Sequence, residues 1–461
     1  MIEQAVATPV NGKTVFDGHR PPSADLLNVC VHCGFCLQTC PTYTLWGKEM
    51  DSPRGRIYLL TMAIDDEAEL TSQYISHFDH CLGCQACVTA CPSGVKYGEL
   101  IEAMRGQVER QYRRPLRERA LRRLIAAVFS NPERLRKVAV LLRVYQRLGL
   151  QRLARRLGLT SLLPSGLRAM EQLLPDLSGD GVPEALPERI APQGEKRRTV
   201  ALLTGCVQSV FMMDVHAATA RVLTAEGCEV LVPRGQGCCG ALLMDLGEEE
   251  QALDMARKLI NLFEPLQVDA ILLNAAGCGA KVKEYGYLLR DDPDYCERAR
   301  AFSAKCKDVS ELLAELKPIA PRHPMALKVA FHDPCHLQHA QGLREQPRAV
   351  LRTIPGLELL ELPEAALCCG SAGIYNLVQP ETARQLGQRK VDKIIATPAQ
   401  VVATGNPGCQ LQISSLLNAK GHPLPVMHYV QLLDASISLH SKQLLHTESS
   451  VRDVGYASRT A

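Results

Sequence analysis

Eight cysteines near the N-terminus of this 461-residue chain fall into two copies of one pattern, C-x2-C-x2-C-x3-C-P. Such runs wrap a [4Fe–4S] cube: the three closely spaced thiolates reach three corners of one cube, and the cysteine before the proline ligates the neighbouring cube. The spacing therefore predicts two clusters that exchange one ligand. Cluster 1 is assigned to Cys30, Cys33, Cys36 and Cys91, and cluster 2 to Cys81, Cys84, Cys87 and Cys40.

Zinc and disulfide bonds are the two alternative uses of these cysteines. A structural zinc site closes with four ligands, usually two separated C-x2-C pairs, and needs no third cysteine directly after each pair. A disulfide framework is typical of small secreted domains. This chain is long, and its first residues lack the basic and apolar segments of a secretory signal. The doubled run thus favours iron–sulfur clusters.

Composition limits the class of protein. The length predicts two to four domains, and 46% hydrophobic with 22% charged residues is an ordinary globular balance. Aromatic residues make up only 5% and the formal net charge is +3, so we expect no nucleic-acid partner. The 19 cysteines without a leader, and the lack of a long apolar run, predict a cytoplasmic protein. Any membrane association would be peripheral, on the inner face of the cell membrane.

A basic stretch follows the cysteine runs. Arginines recur from Arg105 to Arg168 against only three acidic residues, and leucine and valine recur between them at helical spacing. Two interpretations stay open: helices with solvated arginine faces, or a docking surface for anionic lipid or an acidic partner subunit.

An internal repeat fills most of the remaining chain. Each copy carries a single cysteine, then Cys-Cys-Gly, then a last cysteine, and the copies lie roughly 130 residues apart, which indicates duplication. Short apolar runs precede these cysteines and alternate with helical stretches, which predicts βα units on a mostly parallel sheet. The cysteines would then gather at the carboxyl ends of the strands. One set is Cys206, Cys238, Cys239 and Cys278; the other is Cys335, Cys368, Cys369 and Cys409.

Three uses of these repeat cysteines compete: a further iron–sulfur cluster, which we rank first, a zinc ion, or a redox dithiol. His332 and His336 flank one of the cysteines and are candidate ligands or hydrogen-bond partners. Three other cysteines are expected to be inert: Cys228, Cys296 and Cys306.

The domain limits follow from these features and from a Pro- and Gly-rich segment after the basic stretch. A helix is expected from about Ser52-Pro53, between the two cysteine runs, which favours a helical ferredoxin module. The predicted parts are a flexible N-terminus (1–20), the cluster module (21–110), basic amphipathic helices (111–171), a linker (172–198), the two repeats (199–320 and 326–437) and a flexible tail (438–461).

Two ferredoxin runs followed by two Cys-Cys-Gly repeats resemble the iron–sulfur subunit of glycolate oxidase, over roughly residues 21–435. The layout is also similar to lactate-utilisation iron–sulfur proteins, the C subunit of anaerobic glycerol-3-phosphate dehydrogenase and heterodisulfide reductase subunits. The resemblance implies an α+β multidomain fold: an α-helical ferredoxin module followed by two duplicated α/β cysteine-rich (CCG) domains. The stretches most similar to the glycolate oxidase branch are 40–44, 51–58, 275–278 and 406–412.

The repeats depart from the heterodisulfide reductase form, in which each ends in Cys-x2-Cys. Ala275 and Asn406 stand where that form has a cysteine. One thiolate is therefore missing in each repeat, which argues against a five-cysteine non-cubane cluster and against disulfide reduction there.

The resemblance implies that two subunits carry out different steps of the reaction. A flavoprotein (FAD) partner oxidises glycolate to glyoxylate, and this subunit takes the electrons singly and passes them to a quinone or another membrane acceptor. No catalytic residue and no activity of the chain alone are expected, and no Gly-rich dinucleotide fingerprint lies in a βαβ context. Arg54 and Arg56 are expected either near the clusters, raising their potentials, or in surface salt bridges.

Three other functions stay open at this point. One is an iron–sulfur subunit that serves lactate or another 2-hydroxyacid, the second is a self-sufficient reductase acting through the Cys-Cys-Gly repeats, and the third is a zinc-stabilised interaction protein.

Overall fold

The computed structural model of the protein describes residues 15–65, 68–177 and 185–438. Within them the chain forms a helical N-terminal half and two parallel sheets covered by helices. The helices are α1 (Ala24–Asn28), α2 (Pro41–Trp46), α3 (Pro53–Ile64), α4 (Ser72–Asp79), α5 (Ala86–Thr89), α6 (Tyr97–Gln111), α7 (Leu116–Phe129), α8 (Pro132–Arg147), α9 (Leu150–Arg156), α10 (Ser165–Gln172), α11 (Gln208–Phe211), α12 (Met213–Ala225), α13 (Ala241–Leu246), α14 (Glu249–Phe263), α15 (Ala276–Lys283), α16 (Tyr285–Leu288), α17 (Cys296–Lys305), α18 (Val309–Glu315), α19 (Glu345–Arg352), α20 (Tyr375–Val378), α21 (Pro380–Ile395), α22 (Pro407–Ala419) and α23 (Tyr429–Ser438). The strands are β1 (Arg189–Ile190), β2 (Arg198–Leu202), β3 (Cys228–Leu231), β4 (Ala270–Leu273), β5 (Cys306–Asp308), β6 (Leu327–Phe331), β7 (Leu357–Glu361), β8 (Val401–Thr404) and β9 (Val426–His428).

The N-terminal module, α1 to α6, is entirely helical within the described residues. Helix α3 begins at Pro53, and the Ser52 hydroxyl accepts a hydrogen bond from the Gly55 N–H at 3.0 Å. A serine cap before a proline at the first helical position is a favoured helix start, so the expected helix between the cysteine runs is confirmed. Its apolar face packs with α4 and α6 into one core that includes Leu60, Ile75, Phe78, Leu100 and Met104.

Residues 15–20 differ from the flexible N-terminus that we expected over 1–20. Phe16 is buried in the core of the cluster module. The Asp17 carboxylate accepts hydrogen bonds from Arg110 Nε at 2.7 Å and Gln107 Nε2 at 2.8 Å. A single apolar residue followed by a single acidic residue shows no helical or strand periodicity. The packing of residues 15–20 on the cluster module was therefore not predicted. Residues 1–14 lie outside the described residues.

The segment predicted as a linker, 172–198, is partly structured. Helix α10 ends at Gln172, and β1 already joins the first sheet by pairing antiparallel to β3. The strand β2 begins at Arg198. Residues 178–184 of this segment lie outside the described residues.

The two repeats form two sheets of the same order. The first is β1-β3-β2-β4-β5, parallel except for β1, and the second is β7-β6-β8-β9, parallel throughout. The four parallel strands of the first sheet thus match the four strands of the second in order. The expected duplication of an α/β unit is confirmed.

The two repeats also share one hydrophobic core. The last helix, α23, packs against α12 of the first repeat. Val215 and Leu223 of α12 lie in the same buried cluster as Val430 and Leu433 of α23 and Val329 of β6. The boundary that we expected near 320–326 therefore separates two sheets but not two independent cores. The predicted tail from 438 to 461 lies outside the described residues except for Ser438, where α23 ends.

A buried arginine holds the first cysteine loop of the second repeat. Arg348 is 1% exposed and donates to both carboxylate oxygens of Asp333 at 2.7 Å, two residues before Cys335. It also donates to Glu361 at the end of β7, and its guanidinium lies 5.0 Å from the ring centre of Phe331. This bidentate pair ties the ends of β6 and β7 together where the cysteines emerge.

Arg348→Ala is expected to lower the free energy of unfolding by about 3–5 kcal/mol, because it leaves the Asp333 carboxylate buried without its partner. Arg352→Ala, on the same helix, is the control: Arg352 pairs with Glu345 at 3.3 Å and both side chains are exposed, so its loss should cost about 0–1 kcal/mol. Urea unfolding of the anaerobic protein measures both values. Equal losses for the two variants would contradict this role of Arg348.

Candidate metal centres

The first candidate centre is a small cavity between the two cysteine runs. Its walls include three cysteines of the first run, on the loop before α2, and two of the second run, one in α5 and one after it. Four of the lining residues are those assigned to cluster 1: Cys30, Cys33, Cys36 and Cys91.

A second small cavity adjoins the first. The cysteines on its walls are buried, and they comprise three from the second run and one from the first. They are those assigned to cluster 2, namely Cys40, Cys81, Cys84 and Cys87, and Cys87 lines the first cavity as well. The structure thus brings together the two sets with the exchanged fourth cysteine. The ligand assignment itself stays a prediction.

The chemistry of both cavities fits a cluster. All 19 cysteines lie in the described residues, and none of them forms a disulfide. Each cavity offers at least four free sulfur donors, with Cys87 lining both, and four thiolates are what a [4Fe–4S] cube requires. When a cluster is bound, it supplies reversible one-electron transfer.

Two arginines line these cavities and differ in burial. Arg56 is 1% exposed, lines the second cavity, and donates to the Thr42 hydroxyl at 3.2 Å. Burial alone would lower the pKa of Arg56, but the sulfurs of Cys81 and Cys40, with Asp51, raise it above its usual value. Arg54 lines the first cavity but pairs with Glu49 at 2.6 Å and is part-exposed. Arg54 therefore lies beside the first cavity and also forms an ion pair, whereas Arg56 is a buried cation beside the cysteine sulfurs.

Asp51 organises the second cavity in a way that sequence reasoning missed. Its carboxylate, 3% exposed, lies 3.0 Å from His77 Nδ1 and 3.1 Å from His80 Nδ1. Its backbone oxygen accepts from the Thr42 hydroxyl at 2.6 Å and lies 3.7 Å from Cys40 Sγ. The spacing of the two histidines on one face across the end of α4 was the available signal.

Arg56→Gln is expected to lower the reduction potential of the cluster bound beside it, because a nearby positive charge favours the reduced, more negative state. A unit charge about 7 Å away contributes roughly 2 kcal/mol at an effective dielectric constant of about 20, which is on the order of 100 mV for one electron. Redox titration followed by EPR measures the shift. Arg54→Gln, at the more exposed site, should shift the other cluster by less; an equal or larger shift there would contradict the argument from burial.

In the first repeat, the candidate cysteines follow β2, β3 and β4. Cys206 Sγ lies 3.5 Å from Cys238 Sγ, and the Gly240 N–H donates to Cys238 Sγ at 3.4 Å. Gly240 has φ +79°, and a Cβ there would meet the Ala252 backbone at 3.0 Å, so the position needs glycine. The Cys238 and Cys278 thiols hydrogen-bond to Cys239 and hold its pKa well below the usual value, whereas burial opposes this effect.

In the second repeat, the cysteines follow β6, β7 and β8 in the same way. Cys335 Sγ lies 3.9 Å from Cys368 Sγ, and the Asn406 amide donates to Cys409 Sγ at 3.5 Å. Burial would lower the pKa of His336, but the sulfur of Cys335, 3.8 Å from its Nδ1, raises that pKa to about 9. Asn406, which stands where the related form has a cysteine, is therefore a hydrogen-bond donor to sulfur.

His332 makes the second set a better metal site than the first. It is fully buried, and among the described residues neither ring nitrogen has a nitrogen or oxygen partner, so the neighbouring sulfur of Cys369 is the group that it faces. One of its nitrogens and the sulfurs of Cys369 and Cys409 lie within 4.8 Å of one another. A buried imidazole that has no nitrogen or oxygen partner and lies beside cysteine sulfurs is suited to be a metal ligand. Leu203 takes the equivalent place three residues before Cys206, so the first set has no such histidine.

The cluster module and the second repeat meet at a cysteine. Cys84 lies in one buried cluster with Leu82, Cys335 and Cys368. Burial, and next the neighbouring Cys335, raise the pKa of Cys84 well above its usual value. The cysteines of both repeats, in turn, line one cavity of about 370 Å³. The candidate centres therefore form a continuous series through the protein.

The three remaining cysteines lie apart from these centres. Cys228 and Cys306 are buried in strands β3 and β5, and Cys296 begins α17. Burial raises the pKa of Cys228 to about 11, which keeps it a protonated thiol.

This fold and these sites define a class: an iron–sulfur protein with a dicluster module and two cysteine-rich domains. The family described as a 4Fe-4S dicluster domain matches residues 26–95, and the cysteine-rich domain family, CCG, matches 200–283 and 329–414. The intervening helices match the family described as "Glycolate oxidase iron-sulfur subunit, linker region" over residues 117–174.

Two sequence relatives identify the family within this class. The chain is 39% identical to the probable glycolate oxidase iron-sulfur subunit of Bacillus subtilis, over 87% of this chain and 91% of that protein. It is 38% identical to the glycolate oxidase iron-sulfur subunit of Escherichia coli, over 89% and 94% of the two chains. The chain belongs to the glycolate oxidase iron–sulfur subunit family, and it is an iron–sulfur electron-transfer subunit of an oxidoreductase.

A solved structure supports the fold alone. A hypothetical protein from Helicobacter pylori covers 86% of this chain and 70% of its own, with a TM-score of 0.52 and 10% sequence identity.

Cys91→Ser is expected to damage the cluster held mainly by the first cysteine run, because Cys91 lines the cavity of Cys30, Cys33 and Cys36. EPR of the reduced protein, with iron counting, measures which of two signals is lost. Cys40→Ser is the reciprocal control and should damage the other cluster. Loss of only the second run's cluster in Cys91→Ser would contradict the exchanged assignment.

Proposed function

We propose that this subunit accepts electrons from a flavoprotein (FAD) partner that oxidises glycolate to glyoxylate, and passes them one at a time to a quinone-type acceptor. The observation that carries this proposal is the series of adjoining cysteine sites, joined at Cys87 and at Cys84, in a chain whose relatives are named as glycolate oxidase subunits. A two-electron oxidation feeding one-electron centres requires such a relay.

The entry point of the relay is assigned to the first cysteine run. Cys33 is exposed, and Val31 and Phe35 beside it are each 68% exposed. Two large apolar side chains next to a solvent-facing cluster ligand form a contact surface suited to a partner subunit. The second centre is buried deeper, so electrons that enter here pass inward.

The exit side is assigned to the basic helices. Among the described residues no helix is long and apolar enough to cross a membrane. Helices α8 and α9 instead expose leucine and valine beside arginine, which is the pattern of an interfacial helix on anionic lipid. The exposed apolar residues include Val140, Leu141, Val144, Leu148, Leu153 and Leu157.

The repeats are proposed to hold metal as well, with the second set favoured because of His332. A further iron–sulfur cluster fits the four sulfurs of each set, and zinc is the alternative. Iron and zinc counting separates these cases: about eight irons leave the repeats without iron, and about twelve or sixteen fill one or both, at four irons per cube.

Other substrates are less well supported. Lactate utilization protein A of Exiguobacterium sp. is 29% identical but matches only 52% of this chain. The chain is also 29% identical to one subunit of the fumarate reductase (CoM/CoB) of Methanothermobacter marburgensis, over 89% of this chain and 73% of that protein. Ala275 and Asn406 lack the thiolates that a heterodisulfide-reductase-like site would use.

The test is anaerobic mixing of the metal-loaded chain with its flavoprotein partner, followed by addition of glycolate. Cluster absorbance should bleach and reduced-cluster EPR signals should grow, and neither should happen without the flavoprotein. D-Lactate in place of glycolate is the substrate control. Faster reduction by D-lactate would reassign the complex, and reduction without a flavoprotein would overturn the relay role.

A further inference from the structure

The cavity of about 370 Å³ between the repeats is bounded by the second cysteine run, helices of the N-terminal half and both repeats. One wall is the second cysteine run at Gly83 and Gln85, two walls are the cysteine loops of the repeats, and the last is built by α7, α8 and α10. The cysteine loops form the end of this cavity that is proposed to hold metal, and the remaining space, against the helical wall, is the part open to a small ligand.

The helical wall is apolar. Leu135, Val138 and Leu142 occupy one face of α8 at positions i, i+3 and i+7 and line the cavity. They face Phe129 of α7 and Met170 of α10 across it. The opposite face of α8 is the exposed one described above, with Val140 at 55%. The apolar part of the cavity, here called the apolar passage, therefore lies behind the exposed face of α8 that is proposed to contact lipid.

The inner end of the cavity is polar, with two cations each paired to carboxylate. Lys281 donates to Glu284 at 2.7 Å and contacts Glu102 at 2.5 Å, and all three line the cavity. Arg105 donates to Asp245 at 2.8 Å. Each of these two cations is already paired with carboxylate, so neither is available to bind the carboxylate of a hydroxyacid.

We propose that this cavity binds the head group of a lipid-soluble quinone, with its isoprenoid tail leaving between α7, α8 and α10. This proposal rests on the proposed function and specifies where its acceptor binds. A quinone matches the cavity at both ends, since its head is uncharged and its tail is apolar. The cysteine sets of both repeats line the same cavity, so a quinone there lies next to the last centres of the relay.

The reaction balances without another reactant. A quinone takes two electrons, delivered in two single transfers by the metal centres that the flavoprotein partner reduces, and two protons from solvent, and leaves as a quinol. The Glu284 side chain is 34% exposed while Lys281 is 8% exposed. The carboxylate–lysine group therefore connects solvent to the inner end of the cavity and provides a path for the two protons.

The test compares Val138→Trp with Leu116→Trp in the metal-loaded complex. An indole at position 138 overfills the apolar passage, and quinone-dependent glycolate oxidation should fall about tenfold or more. Glycolate-dependent bleaching of the clusters, and reduction of ferricyanide at the surface, should stay unchanged. Leu116 is 77% exposed on α7 and does not line the cavity, so tryptophan there should leave both rates as in the parent.

A binding measurement keeps the proposal testable if Val138→Trp fails to fold. Photolabelling of the parent complex with an azido-quinone should mark peptides from 124–142 and 170–175, and excess unlabelled quinone should remove the label. Labelling of another subunit only, or unchanged quinone-dependent rates in a folded Val138→Trp protein, would overturn the site. Failure of glycolate to bleach the clusters in the parent would instead overturn the proposed function.

Discussion

Packing many thiolates close together inside one chain is the constraint on which this structure depends. Sulfur anions repel one another and lose hydration when buried, so each group must be offset by metal, cations or N–H donors. The chain supplies Arg56 beside the second cavity and backbone N–H groups on Cys238 and Cys368. The sequence positions of glycines and arginines follow from this electrostatic requirement as much as from the fold.

The sequence predicted the parts of the site whose signals are local. Cysteine spacing gave the two exchanged sets, and constant offsets between the repeats gave the two sheets with cysteines at their strand ends. Prediction failed where side chains meet across long separations. Nothing local marks Phe16 as a core residue or predicts the merging of both repeats into one core through Val430 and its neighbours.

The duplication has produced two sites that are not equivalent. Both retain four sulfurs and a glycine after the paired cysteines. Among the described residues, only the second has an imidazole within 4.8 Å of its sulfurs, at His332, and contact with Cys84 of the cluster module. The first has Leu203 in place of that histidine. A metal bound at the second site would therefore have a nitrogen donor that the first site lacks, and it would lie nearer to the cluster module. The two repeats have therefore diverged in chemistry while keeping their architecture.

The single core beneath the two sheets has a mechanical consequence. Leu223 and Val329, from different repeats, are buried in the same cluster, so neither sheet can swing away without exposing a large apolar surface to water. The separation of the two cysteine sets is then fixed when the polypeptide folds and is the same in every turnover. Electron tunnelling between them would proceed at a constant distance, with no hinge to open or close the path.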